Sequence, residues 1–108
     1  MSRFQHVVLF KFPRALSEDE EADMYGQVRA WPRDIDVQFV TLRLGPDVSG
    51  RARGYHYCLF TEFESEERMN AYQAHPVHQA FGAWIYARDC EVLAFDYTVD
   101  DGTRITGP

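Results

Sequence analysis

Two hydrophobic periods alternate along the chain. From Phe4 to Phe12 the residues are rich in Val and Phe, and Pro13 closes the run, which reads as a first strand. Ser17 stands three residues before Glu20, the spacing of a capping box, and the acidic residues around it complement the positive end of a helix dipole. Met24, Val28 and Trp31 then recur at i, i+4 and i+7 with Tyr25 beside them, giving that helix one apolar face that Pro32 is expected to end. A second strand is predicted from about Ile35 to Leu44. A loop with glycine at both ends, Gly45 to Gly54, leads to a third strand over Tyr55 to Phe63. Ser65 opens a second main helix. Proline disfavours the helical conformation in the residue before it but fits the first turn of a helix, so that helix should end near Ala74 and another run from Pro76 to about Ala87. Glu91 to Thr98 makes the last strand, and the polar tail from Asp100 to Pro108 is expected to be mobile.

The order β-α-β-β-α-β predicts an α+β fold, a ferredoxin-like sandwich in which helices cover one face of a four-stranded antiparallel sheet. Both faces of the predicted strands are nonetheless apolar. His6, Val8, Phe10 and Phe12 share one face of the first strand while Val7 and Leu9 take the other. The third strand sets Tyr57 and Leu59 against Cys58 and Phe60, and the last sets Val92 and Ala94 against Leu93, Phe95 and Tyr97. Helices on one side leave the second face bare, a larger apolar patch than a monomer usually exposes. The expected remedy is a homodimer packed sheet to sheet about a two-fold axis.

Composition narrows the partners. The 108 residues form a single domain with a core over about residues 4–98, and 45% of them are apolar, enough for a real core. Seventeen acidic against eleven basic residues give a net charge of -6, which argues against nucleic acid or an anionic membrane surface as partner. No apolar run approaches the ~20 residues needed to span a bilayer, and the N-terminus lacks the apolar core of a signal peptide, so a cytoplasmic protein is expected. Cys58 and Cys90 lack metal or redox spacing and are expected to be free thiols.

The stretch Tyr72-Gln73-Ala74-His75-Pro76-Val77-His78 carries the candidate chemistry, since it gathers a phenol and two imidazoles around one helix break. A helix N-terminus disfavours an imidazolium, so a buried His78 should tend toward the neutral form that can act as a base. Carbon–carbon bond formation beside a carbonyl needs such a base, and it needs a donor for the enolate oxygen, which the Tyr72 hydroxyl can supply. His6 projects toward the same space and could orient a substrate. The plainer alternative is that His75 caps a helix, His78 fills space beside an aromatic ring and His6 bonds to backbone. A predicted pocket between sheet and helices, lined by Val8, Phe10, Met24, Tyr25, Val28, Val40, Leu42, Leu59, Phe81, Trp84, Val92 and Ala94, suits an apolar or aromatic ligand. The histidines have no carboxylate or cysteine at ligand spacing, and no glycine-rich nucleotide loop is present, so neither metal nor organic cofactor is expected.

His6-Val-Val-Leu-Phe-Lys-Phe12, Gly54-Tyr, Phe63-Glu-Ser65, Tyr72 with His75-Pro-x-His78, Phe81-Gly82 and Phe95-Asp-Tyr97 together resemble the stress-responsive dimeric α/β-barrel (Dabb) family over about residues 4–98. The resemblance implies a ferredoxin-like protomer whose sheet closes against a partner's. The best understood enzyme of that family is a plant polyketide cyclase that performs an aldol condensation without metal or cofactor. It uses a tyrosine and a histidine matching Tyr72 and His78, and its pocket holds histidines matching His6 and His75. A third-strand pocket histidine of that cyclase is Tyr57 here, and His56 should face the opposite way. The resemblance therefore leaves three functions open. They are a cyclase-like enzyme working through Tyr72 and His78, a cofactor-free monooxygenase of phenols, and a non-catalytic dimer that binds a ligand or serves in stress resistance.

Overall fold

The computed structural model describes residues 2–107, with seven elements in the order β1 (Arg3–Lys11), α1 (Glu18–Asp34), β2 (Thr41–Pro46), β3 (Tyr57–Phe63), α2 (Glu66–Ala74), α3 (Pro76–Tyr86) and β4 (Glu91–Val99). The strands form one antiparallel sheet in the order β2-β3-β1-β4, the ferredoxin-like arrangement expected from the element order. All three helices lie on one face. The molecule is only 18 Å along its shortest axis, the depth of one sheet and one helix layer, which are about 10 Å apart.

Local chemistry accounts for the elements. The Ser17 hydroxyl accepts from the Glu20 N–H while the Glu20 carboxylate accepts from the Ser17 N–H, completing the capping box. Glu20 also receives Arg14 and Arg88, and the Arg14 pairing is the main reason its carboxyl titrates down at about 2. Pro32 does not end α1, which continues to Asp34. The proline forfeits one hydrogen bond in the last turn, where φ is already in the range its ring imposes, and the Ile35 N–H still reaches the Trp31 carbonyl at 2.8 Å.

The second strand is displaced from its expected position, beginning at Thr41 rather than near Ile35. Ile35 is drawn into the core and Phe39 stacks on Trp31, so the segment between them packs side chains instead of pairing backbone. The third strand starts at Tyr57, two residues late, because the Tyr55 N–H is held in a turn by the Ala52 carbonyl. The helix break falls where proline placed it, with His75 as C-cap of α2 and N-cap of α3. After β4, the Asp100 carbonyl accepts from the N–H groups of Thr103 and Arg104, so the tail starts in a hydrogen-bonded turn.

The core lies between the helices and β1, β2 and β3. Met24, Val28 and Trp31 of α1 meet Val8, Phe10 and Leu59 of the sheet, together with Met69, Tyr72, Phe81 and Ile85 of the other helices. On the opposite face Val7, Leu9, Cys58 and Phe60 are half-buried, while Leu93 and Phe95 of β4 are 50% and 66% exposed. The surplus of apolar surface expected from the sequence is thus present. β4 is an edge strand exposed on both faces, since Val92 and Ala94 on the helix side are uncovered too. Among the described residues, no helix is long and apolar enough to cross a membrane.

Candidate functional site

The exposed inner face of β4 leaves a cleft of about 210 Å³ between the sheet and α3. Its floor is two rungs of the β1–β4 ladder, Phe10 opposite Val92 and Val8 opposite Ala94, and it ends at His6, whose ladder partner is Asp96. Its wall is one stripe of α3, with His78, Phe81, Gly82, Ile85 and Tyr86 at i, i+3, i+4, i+7 and i+8, and Gln73 and Leu59 complete it. Polarity is graded along this floor, from the imidazole at one end to Phe10 and Val92 at the other. Four residue steps along β1 separate His6 from Phe10, about 13 Å.

The polar end is a hydrogen-bonded chain. The Gln73 side-chain amide lies 3.4 Å from His6 Nε2, and His6 Nδ1 makes a short hydrogen bond to the Asp96 carboxylate. A carboxylate can only accept, so the proton of that bond sits on Nδ1. His6 is buried and Asp96 is partly exposed.

His78 is oriented in a similar way. Its Nδ1 lies 3.3 Å from the Gln73 backbone carbonyl, an acceptor, which puts a proton on Nδ1 and a lone pair on Nε2. Burial lowers its pKa, the nearby His6 and His75 lower it further, and the Gln73 carbonyl partly opposes them. The result is an imidazole that stays neutral, with an unprotonated nitrogen at the cleft.

Tyr72 lies directly behind it, with ring centroids 4.3 Å apart. The Tyr72 side chain is fully buried among Trp31, Phe39 and Phe63, and His6 meets its edge at 6.4 Å. Its hydroxyl has no hydrogen-bond partner among the described residues, and burial holds that hydroxyl in its protonated form far above the usual phenol range. The Trp31 indole N–H is likewise unpaired and buried. An unpaired buried hydroxyl is rare enough to need a reason.

Of the residues expected to form the site, the structure brings together His6, Val8, Phe10, Leu59, His78, Phe81, Val92 and Ala94 around the cleft. Tyr72 lies one layer behind. The others stand elsewhere. His75 is turned away, its Nδ1 accepting from the Val77 N–H at 3.1 Å and its Nε2 lying 3.4 Å from Asp36, which is the capping role. Met24 and Val28 are core, and Tyr25 with Val28 and Leu42 borders a separate groove under α1. The Tyr57 hydroxyl donates to Glu21, its ring packs against Tyr25, and burial raises its pKa. Trp84 stacks on Phe81, donates its N–H to Asp23 at 2.8 Å and carries the Arg88 guanidinium on its outer face.

Gln73, Gly82, Ile85, Tyr86 and Asp96 were not anticipated. Gln73 sits inside the stretch that attracted attention, and Asp96 inside Phe95-Asp-Tyr97, but only the pairing register puts that carboxylate opposite His6. No three His, Cys, Asp or Glu side chains among the described residues cluster so as to hold a metal ion.

Comparison with known proteins adds context to this geometry. Residues 4–99 match the stress-responsive A/B barrel domain family. Olivetolic acid cyclase of Cannabis sativa is 28% identical over 100 residues, covering 87% of this chain and 94% of the cyclase. A dimeric ferredoxin-like protein of unknown function from Thermobifida fusca superposes with a TM-score of 0.77 at 21% identity, covering 91% of this chain and 92% of that one. Hydroxynitrile lyase from Passiflora edulis superposes with a TM-score of 0.76 at 16% identity, covering 98% and 97%. At these two identities the likeness is one of fold.

Proposed function

The chain belongs to the stress-responsive A/B barrel domain family, and from that premise we propose that it is a cofactor-free, small-molecule enzyme of cyclase-like chemistry. The observation that carries the reading is the pairing of a neutral His78, its Nε2 lone pair free, with the unspent hydroxyl of Tyr72 packed against the same ring.

The reaction that suits this pair is an intramolecular aldol step on a linear poly-β-ketone. His78 Nε2 takes the acidic proton between two carbonyls, and the Tyr72 hydroxyl donates to the enolate oxygen. The enolate carbon attacks a distal ketone carbon, forming the ring bond. The proton on His78 then passes to the new alkoxide, and water leaves as the ring becomes aromatic. The chain Gln73–His6–Asp96 engages both His6 ring nitrogens, so this imidazole is fixed in place at the polar end of the cleft. The 28% identity to a curated cyclase supports the same chemistry.

The working unit of this reading is a homodimer built on the open sheet face. Its support is the exposure of Leu93 and Phe95 together with dimeric relatives of the same fold. A non-catalytic ligand-binding dimer is the second reading, favoured by one observation, the complete burial of the Tyr72 hydroxyl behind His78. Turnover separates the two. Poly-β-ketone thioesters are incubated with the protein and ring products followed by mass. Tyr72→Phe and His78→Ala should each lower turnover by ~10²–10⁴-fold if the pair acts as acid and base. Turnover at the parent rate in Tyr72→Phe removes the proposed mechanism.

A further inference from the structure

The α3 stripe that walls the cleft is interrupted once. His78, Phe81, Ile85 and Tyr86 all bring side chains to it, and Gly82, at its centre, brings none. Glycine inside a helix costs about 1 kcal/mol relative to alanine, so the position needs a compensating reason. The backbone gives none, since Gly82 lies mid-helix, outside the left-handed region that demands glycine. Packing gives none either, because a Cβ built at Gly82 meets nothing within 4 Å. What the missing side chain does is leave room in the cleft. It bares α3 backbone one helical turn from His78, and the floor rung Val8–Ala94 of the same cleft is also built from short side chains.

We propose that Gly82 is the size- and shape-determining position of this cleft, the place where the flat apolar body of a ligand lies across α3 while its oxygens reach His6 and His78. The ligand class is a compact aromatic or conjugated oxygenated molecule. The volume of about 210 Å³ lies below the ~300–1,000 Å³ common for drug-sized ligands, which limits the body to one or two rings. This rests on the small-molecule reading above but not on the catalytic roles given to Tyr72 and His78.

The test uses 2-naphthol as probe, with two fused rings and one oxygen, and isothermal calorimetry as readout. The unaltered protein binds it. Gly82→Ala weakens binding several-fold while raising the melting temperature, because alanine improves the helix. Gly82→Leu weakens it at least tenfold and stays folded by circular dichroism, since its side chain enters open space. Ala83→Leu, one residue along and exposed on α3, leaves affinity unchanged and controls for general effects on the helix. Parent-like affinity in Gly82→Leu overturns the inference, as does equal weakening in Ala83→Leu or the absence of naphthol binding by the unaltered protein. Naphthol binding by a protein that cyclises no ketone removes the catalytic reading and leaves this one standing.

Discussion

Replacing Tyr72 by phenylalanine should make the protein more stable and less active at once. The hydroxyl is completely buried and has no partner among the described residues, and its ring is held on all sides by Trp31, Phe39, Phe63 and His78. A buried, unsatisfied polar group costs about 1–3 kcal/mol of desolvation, and deleting its single oxygen relieves that cost with little change in packing. Even the lower figure, about 1 kcal/mol, raises the melting temperature by roughly 4 °C in a domain of this size. The same deletion removes the donor to the enolate and should lower turnover by ~10²–10⁴-fold. Thermal unfolding by differential scanning calorimetry, run beside the ring-product assay, reads both signs. Had the hydroxyl been spent on a structural hydrogen bond, its removal would instead destabilise by about 1 kcal/mol. A melting temperature that falls by several degrees therefore refutes the argument that the hydroxyl is held in reserve, whatever happens to the rate.

Acid should weaken the fold through His78. Its pKa is depressed in the folded state from an ordinary 6.5, so the unfolded chain binds more protons between the two values. Stability is therefore fully present above 6.5, falls as pH drops through it, and levels off below the folded value. Urea titrations from pH 8 to 5 should show this slope, and His78→Gln should flatten it. Phe60→Asp places a charge on the open sheet face and should convert the dimer to monomer or aggregate in sedimentation; an unaltered protein that sediments as a monomer at micromolar concentration removes the dimer. Chelators should leave the melting temperature unchanged, and one tightly bound transition metal per chain in elemental analysis would contradict the cofactor-free reading.

The fold was legible because its signals are local. The Ser17–Glu20 capping box, the 3.6-residue recurrence of Met24, Val28 and Trp31, and the proline at position 76 each act within a few residues, and each holds in the structure. Pro32 was misread because a proline in the last turn forfeits only one hydrogen bond, and the start of β2 because tertiary packing overruled the local cue, as Ile35 and Phe39 pack against the helix layer before pairing begins. The site was legible in part. His6 and His78 reach the cleft as the strand and helix periods predict, whereas His75 points away because its ring nitrogen is taken up as a cap. The places of Asp96 and Gly82 at the cleft were not read, although both fall in quoted motifs, and for a shared reason. Neither has meaning until the register of β1 with β4 and the position of α3 over it are known.

The register of the sheet also sets when, in the life of the chain, the cleft can exist. His6 and Asp96 are separated by 90 residues, and β1, made before the other strands of this sheet, is central in it and waits for both neighbours. At about 5–20 residues per second, the chain between them takes roughly 5–20 s to make. Through that interval Val8 and Phe10 have no β4 beside them, the Gln73–His6 pair has no carboxylate, and no ligand can brace the nascent domain. The cleft therefore exists only once β4 has paired with β1.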